Sequence, residues 1–306
     1  VGFTEQHFTS PATGVLLLHC RFMRVRSPLF LSASLASLTS VAFVTACTPS
    51  PTPNEPLVQM YQEAQFDAQA LMDSSPDISF LRTQHADELL AEIHRLCGFT
   101  DEGAVPESCE VMTTMIAAAP TDDVAGRVAS SQSLILDLLD DIPKESVSLV
   151  VGQYIDEARY GVAFDLNSSA DSPVEMELSF DEITIAQDLL EREQSAAWAL
   201  GIALAQYPLE QRDSIEVAIE AHNDRAFTLQ QLLGPDHSTP AEPGYDSDLT
   251  APTDFASAKQ TIDEIENNLI DSWHAAASAA TTDEWRTFCT QVAGDTARTL
   301  LLIDAS

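Results

Sequence analysis

Four side chains capable of chemistry stand in the C-terminal half of this 306-residue chain at positions where apolar residues are expected. Apolar residues at helical spacing mark four stripes there, and each stripe is interrupted once by a polar group. Glu193 falls among Ile185, Leu189, Ala196, Leu200 and Leu204, and His222 among Ile215, Ile219, Ala226 and Leu229. Glu266 falls among Ile262, Leu269 and Trp273, and Asp295 among Trp285, Phe288, Val292 and Leu302. Each lies near the middle of its stripe, so antiparallel helices of equal length bring all four to one level of a core. Three carboxylates and an imidazole in a low-dielectric interior need compensation, because an unpaired buried charge is strongly destabilising. A metal ion is one solution; a network of salt bridges is the other.

The elements that must position these groups read as helices nearly throughout. The spacing predicts helices over about 56–72, 77–96, 123–141 and 144–164, then about 181–206, 209–233, 254–277 and 282–303. Residues 57–164 form an N-terminal bundle on this reading, 165–180 a linker rich in Asn, Ser and Asp, and 181–306 a C-terminal bundle. In each half the first and third connections are short and the second is long, spanning 98–122 and 234–253. Short loops force antiparallel neighbours, and one long loop must cross the bundle. The expected fold is therefore all-α, as tandem four-helix bundles of ferritin-like topology with the long crossover between the second and third helices. Gly98 and Gly234 open the crossovers, where helices commonly end on glycine. His85 matches His222 at an offset of 137, and Asp156 matches Asp295 at an offset of 139, the pattern of a diverged tandem duplication.

The stretch 193–201, EQSAAWALG, the helix around His222 and the crossover PGYDSDLTAPTDFASA resemble a bacterial ferritin-like family of unknown function, over roughly residues 181–303. The resemblance implies a four-helix fold and brings no established activity. Leu200 stands where an aromatic residue is frequent in that family, and Phe227 where a polar one is. Ferritin-like di-iron proteins hold metal with a Glu from each of two helices and a Glu-x-x-His pair from each of the other two. Against that pattern Ile219 stands three residues before His222, and Arg298 three residues after Asp295. A guanidinium at a ligand position repels a cation and can pair with Asp295 or Glu266. Glu193, His222, Glu266, Asp295 and Arg298 thus read first as a core salt-bridge network. A mononuclear site of Glu193, His222 and Glu266, or a dinuclear iron or manganese centre, stays open as the alternative. His85, between Leu81 and Leu89, has no evident set of carboxylates and reads as a satisfied core histidine.

Charge and the N-terminal stretch address where the protein acts. The chain carries 14 Lys and Arg against 48 Asp and Glu, and removing residues up to Cys47 leaves 11 against 47, a net charge of −36. Nucleic-acid binding through phosphates needs the opposite sign and is excluded as a class. Residues 23–46 read as an export signal: Arg24 and Arg26 precede an apolar stretch, and Val44-Thr45-Ala46-Cys47 resembles the lipobox of bacterial lipoproteins. The resemblance implies a lipid on the Cys47 thiol and removal of everything before it. Five serines and two threonines between Ser27 and Thr45 argue against a spanning helix. Residues 1–22 precede Met23 and read as an upstream extension, while 47–56 is a Pro-rich tether. In an oxidising exterior Cys97 and Cys109 are the natural disulfide pair, and Cys289 beside Phe288 reads as a small buried apolar residue.

No Ser-His-Asp spacing, phosphate-cradling glycine loop or nucleophile elbow stands in the sequence. The expected function is a non-catalytic structural or interaction module without a cofactor. It is anchored extracytoplasmically in the cell membrane through Cys47, with a protein partner at the cell surface left open. The alternative is a metal-dependent oxidoreductase or iron-handling protein working through the mid-bundle carboxylates and His222.

Overall fold

Capping side chains, prolines and glycines set the bounds of the helices. The computed structural model describes residues 50–111, 119–161, 176–242, 244–245 and 250–305. Helix α1 (Glu55–Ala70) opens where the Asn54 side chain accepts the Leu57 N–H at 3.1 Å, with Pro56 in the first turn, where no donor is needed. Helix α2 (Pro76–Cys97) ends at Gly98, whose φ of 76° a side chain would strain. Helix α3 (Val124–Leu138) is capped by Asp123, and α4 (Val147–Gly161) follows a single 3₁₀ turn after Pro143.

Helix α5 (Phe180–Leu204) starts on a capping box of Ser179 with Glu182. Helix α6 (Arg212–His237) breaks near its end at Gly234, φ 65°, followed by Pro235. Helix α7 (Phe255–Ala279) starts on a capping box of Asp254 with Ser257, and α8 (Asp283–Ala305) closes the described chain. All eight lie within a few residues of the bounds the spacing predicts, and no strand occurs among the described residues. The export signal with Cys47, the extension 1–22 and the linker up to residue 175 lie outside the described residues.

Helix α1 packs on α2 and α3, and α3 on α4; α5 packs on α6 and α7, and α7 on α8. Helix α4 then lies against both α7 and α8, so one continuous apolar core runs through all eight helices. Gly294 makes the seam tight: a Cβ there would stand 2.6 Å from the buried Tyr154 ring and 3.1 Å from the Ala158 Cβ. At the rim, His274 Nε2 bonds the Ser148 carbonyl at 2.8 Å, and Arg286 pairs with Asp140 at 3.1 Å.

Two closures hold the ends of elements together. Cys97 and Cys109 form a disulfide with Cα atoms 6.3 Å apart, joining the end of α2 to the crossover. Such a loop closure is worth on the order of 3 kcal/mol in the chain-entropy model. Ser108 in the same loop donates to the Pro51 carbonyl at 2.7 Å and holds the segment before α1.

The second closure is Glu182, a buried carboxylate. It accepts the backbone N–H groups of Ser179 and Thr281 at 2.8 Å and of Thr282 at 2.9 Å, and the hydroxyls of Thr281 and Thr282 at 3.0 Å. It thereby ties the start of α5 to the turn between α7 and α8. Burial works to raise its pKa, but the backbone donors of Ser179, Thr282 and Thr281 outweigh burial and hold it down at about 2, against an ordinary 4.5. The lowered value means that the carboxylate stabilises the fold above pH 4.5, and that this contribution is lost as pH falls toward 2. Glu182→Gln is expected to cost about 2–3 kcal/mol in urea unfolding at neutral pH and to flatten the acid limb of the stability curve.

Candidate functional site

At mid-height in the second group of helices, α5 supplies Glu193, α6 His222 and Arg225, and α7 Glu266 and Trp273. Glu193, His222, Glu266 and Trp273 are fully buried. The imidazole lies between the two carboxylates, with Nδ1 2.7 Å from Glu193 Oε2 and Nε2 3.0 Å from Glu266 Oε1. A proton on each ring nitrogen satisfies both acceptors, while the donor Arg225 Nη2 lies 2.7 Å from the same Nδ1 and crowds a proton there. Burial and the neighbouring Arg225 act to lower the His222 pKa, and the two carboxylates outweigh them and leave it above its usual 6.5.

The other side of Glu193 is equally engaged. Its Oε1 accepts Arg225 Nε at 2.9 Å and the Trp273 indole N–H at 2.6 Å. Burial raises the Glu193 pKa, but Arg225 and His222 overcome that and hold it at about 2. Two carboxylates, one imidazolium and one guanidinium sum to zero charge. Trp273 packs against Trp285 and Phe288, with ring centroids 6.2 and 5.7 Å away, so an aromatic wall shields the network. Hydrogen bonds in such a dry site are stronger than in water.

The structure brings together three of the five sequence candidates, Glu193, His222 and Glu266. Arg298 Nη1 donates to Asp295 Oδ1 at 2.7 Å, so of its two prospective partners the guanidinium bonds Asp295. That pair lies beside the network, where Asp295 adds negative potential at Arg225. Sequence reasoning missed Arg225 and the polar role of Trp273. Arg225 follows His222 by three residues and so shares its face; a buried indole N–H needs an acceptor, and Trp273 follows Glu266 by seven. His85 is also not isolated, since Glu157 Oε1 lies 3.5 Å and Asp156 Oδ2 3.8 Å from its ring nitrogens. Cys289 is a free buried thiol whose pKa is pushed well up by burial and by Glu182, which leaves it unreactive.

A metal needs lone pairs that converge on one point. Here the imidazole separates the carboxylates, both its nitrogens face them, and Arg225 occupies Glu193. Among the described residues no group of three or more His, Cys, Asp or Glu is arranged to hold a metal ion. The residues present do not fit a dinuclear centre. Residues 186–302 match the family model of a domain of unknown function, DUF4439. No curated protein and no solved structure matches the chain.

Removing one charge from such a balanced core leaves its partners buried and uncompensated. Glu193→Gln is expected to lower the unfolding free energy by about 3–5 kcal/mol, read by urea denaturation at neutral pH.

Proposed function

We propose that the C-terminal four helices form a ferritin-like bundle in which an internal charge network takes the place of a metal centre. The protein then serves as a non-catalytic structural or interaction module. The observation that carries this reading is the self-neutralising set Glu193–His222–Glu266–Arg225, in which the imidazole stands between the two carboxylates and Arg225 occupies Glu193, while Glu266 Oε2 has no hydrogen-bond partner among the described residues. The neighbour relations support the topology: α5 packs on α6 and α7, and α8 on α7 and α6, as one long crossover between the second and third helices requires. Purified mature protein incubated with Fe(II) or Mn(II) and desalted is expected to retain no stoichiometric metal by elemental analysis. Stoichiometric metal that is lost in a Glu193→Ala/Glu266→Ala variant overturns the reading in favour of metal-dependent chemistry.

The module acts, on the same proposal, at the extracytoplasmic face of the cell membrane, held by a lipid on Cys47. The lipobox-like VTAC ending the apolar N-terminal stretch supports the anchor, and the extracellular-type disulfide agrees with export. Cys47→Ser is expected to move the protein from the membrane fraction to the soluble one. Unchanged membrane partition of that variant, with no lipid mass on the wild-type N-terminal peptide, rules the anchor out.

A further inference from the structure

One ring nitrogen in the core has two partners that cannot be satisfied together. His222 Nδ1 stands 2.7 Å from Glu193 Oε2 and 2.7 Å from Arg225 Nη2. The carboxylate oxygen only accepts and the guanidinium nitrogen only donates, so Glu193 needs a proton on Nδ1 and Arg225 needs its lone pair. Nε2 faces the acceptor Glu266 Oε1 at 3.0 Å and holds a proton in either case. The first four helices give the contrast. There Arg82 Nε pairs with Asp67 Oδ2 of α1 at 3.2 Å, and Arg82 Nη1 bonds Glu157 Oε1 of α4 and stands 3.2 Å from His85 Nδ1. Glu157 Oε1 lies 3.5 Å from that ring nitrogen, too far to compete with the guanidinium for it.

We propose that His222 is a proton-operated switch between two hydrogen-bond arrangements of the α5–α6–α7 core. With the ring protonated, Nδ1–H donates to Glu193 Oε2 and Nε2–H to Glu266 Oε1, while Arg225 keeps Glu193 Oε1 through Nε. Its Nη2 then turns from the ring toward Glu266 Oε2, which has no hydrogen-bond partner among the described residues. With the ring neutral, Nε2–H stays on Glu266, the Nδ1 lone pair takes Arg225 Nη2, and Glu193 Oε2 gives up its imidazole donor. The Trp273 indole holds Glu193 Oε1 in both arrangements. The protonated core sums to zero charge; the neutral ring leaves it one net negative charge and leaves α6 one bond fewer to α5. From α8 the site is faced by Asp295, which acts on Arg225 and accepts Arg298 at 2.7 Å. Burial and Arg225 lower the ring's pKa and the two carboxylates raise it more, so it stands above 6.5. The added bond is therefore complete below pH 6.5 and is lost as pH rises through the higher folded value. The inference rests on the charge-network reading above, because a metal on the ring would claim the same lone pair.

The test uses the full mature chain, labelled with nitrogen-15 and treated with EDTA, and follows the His222 ring in long-range proton–nitrogen spectra from about pH 5.5 to about 9. The ring signals are assigned through the His222 backbone, so no variant is needed. Both ring nitrogens are expected to carry protons at the acid end, and Nδ1 alone to lose its proton as pH rises. Loss of the Nε2 proton instead, or a ring that keeps the same protons across the whole range, overturns the proposal. Arg225→Lys keeps the cation but lacks the flat fork that reaches Nδ1 and Glu193 together. Its titration midpoint is expected to rise by about one pH unit, a tenfold gain in proton affinity, and an unchanged midpoint in the folded variant also overturns the proposal. If that variant does not fold, the wild-type spectra decide. Zn(II) or Mn(II) added to the wild-type sample separates the two readings. Ring signals that shift with one equivalent of metal defeat the charge-network reading, whereas the switch stands or falls on the metal-free spectra.

Discussion

The structure depends on one constraint: charge placed inside a helical core must cancel locally. Isolated, each buried carboxylate would be driven to protonate or the helices to part. Set side by side, Glu193, His222, Glu266 and Arg225 fix the depth and rotation of three helices at once, because a misplaced turn would strand a charge. Apolar stripes alone do not supply that discrimination, since one leucine face slides along another at small cost. The aromatic wall of Trp273, Trp285 and Phe288 shares the task by excluding water and by donating an indole N–H into the network.

The first four helices meet the same constraint with a different arrangement. In both halves a histidine on the second helix keeps company with an arginine three residues away, Arg82 before His85 and Arg225 after His222. In both, an acid on the first helix accepts that arginine. The fourth element differs: α4 sends Glu157 into the centre, whereas α8 sets Asp295 and Arg298 at the side. A common plan with swapped sides is what divergence after duplication produces, when each half keeps its charge balance by its own compensations.

Much of this was legible in the sequence because helices announce themselves locally. The 3.6-residue period and Gly98 and Gly234 as stops are short-range signals. Glu193, His222 and Glu266 were visible as single interruptions of apolar stripes. The rest depends on rotation and distance. Glu157, not the half-exposed Asp156, faces inward, and one residue is a turn of about 100° around the helix, too fine a difference for a stripe that tolerates small and polar residues. Arginines were hidden because a long side chain belongs on a surface unless a carboxylate from another helix receives it. The α4 seam was hidden too, since an apolar face looks the same whichever helix covers it.

That seam has a further meaning. Val150, Val151, Tyr154 and Ala158 of α4 are buried in the assembled molecule, and Gly294 of α8 is the flat surface on which Tyr154 lies. Cut between its halves, the chain would show water an apolar strip on each piece. The eight helices pack as one compact unit around a common apolar core, so a change in one charge cluster is felt by helices that also carry the other.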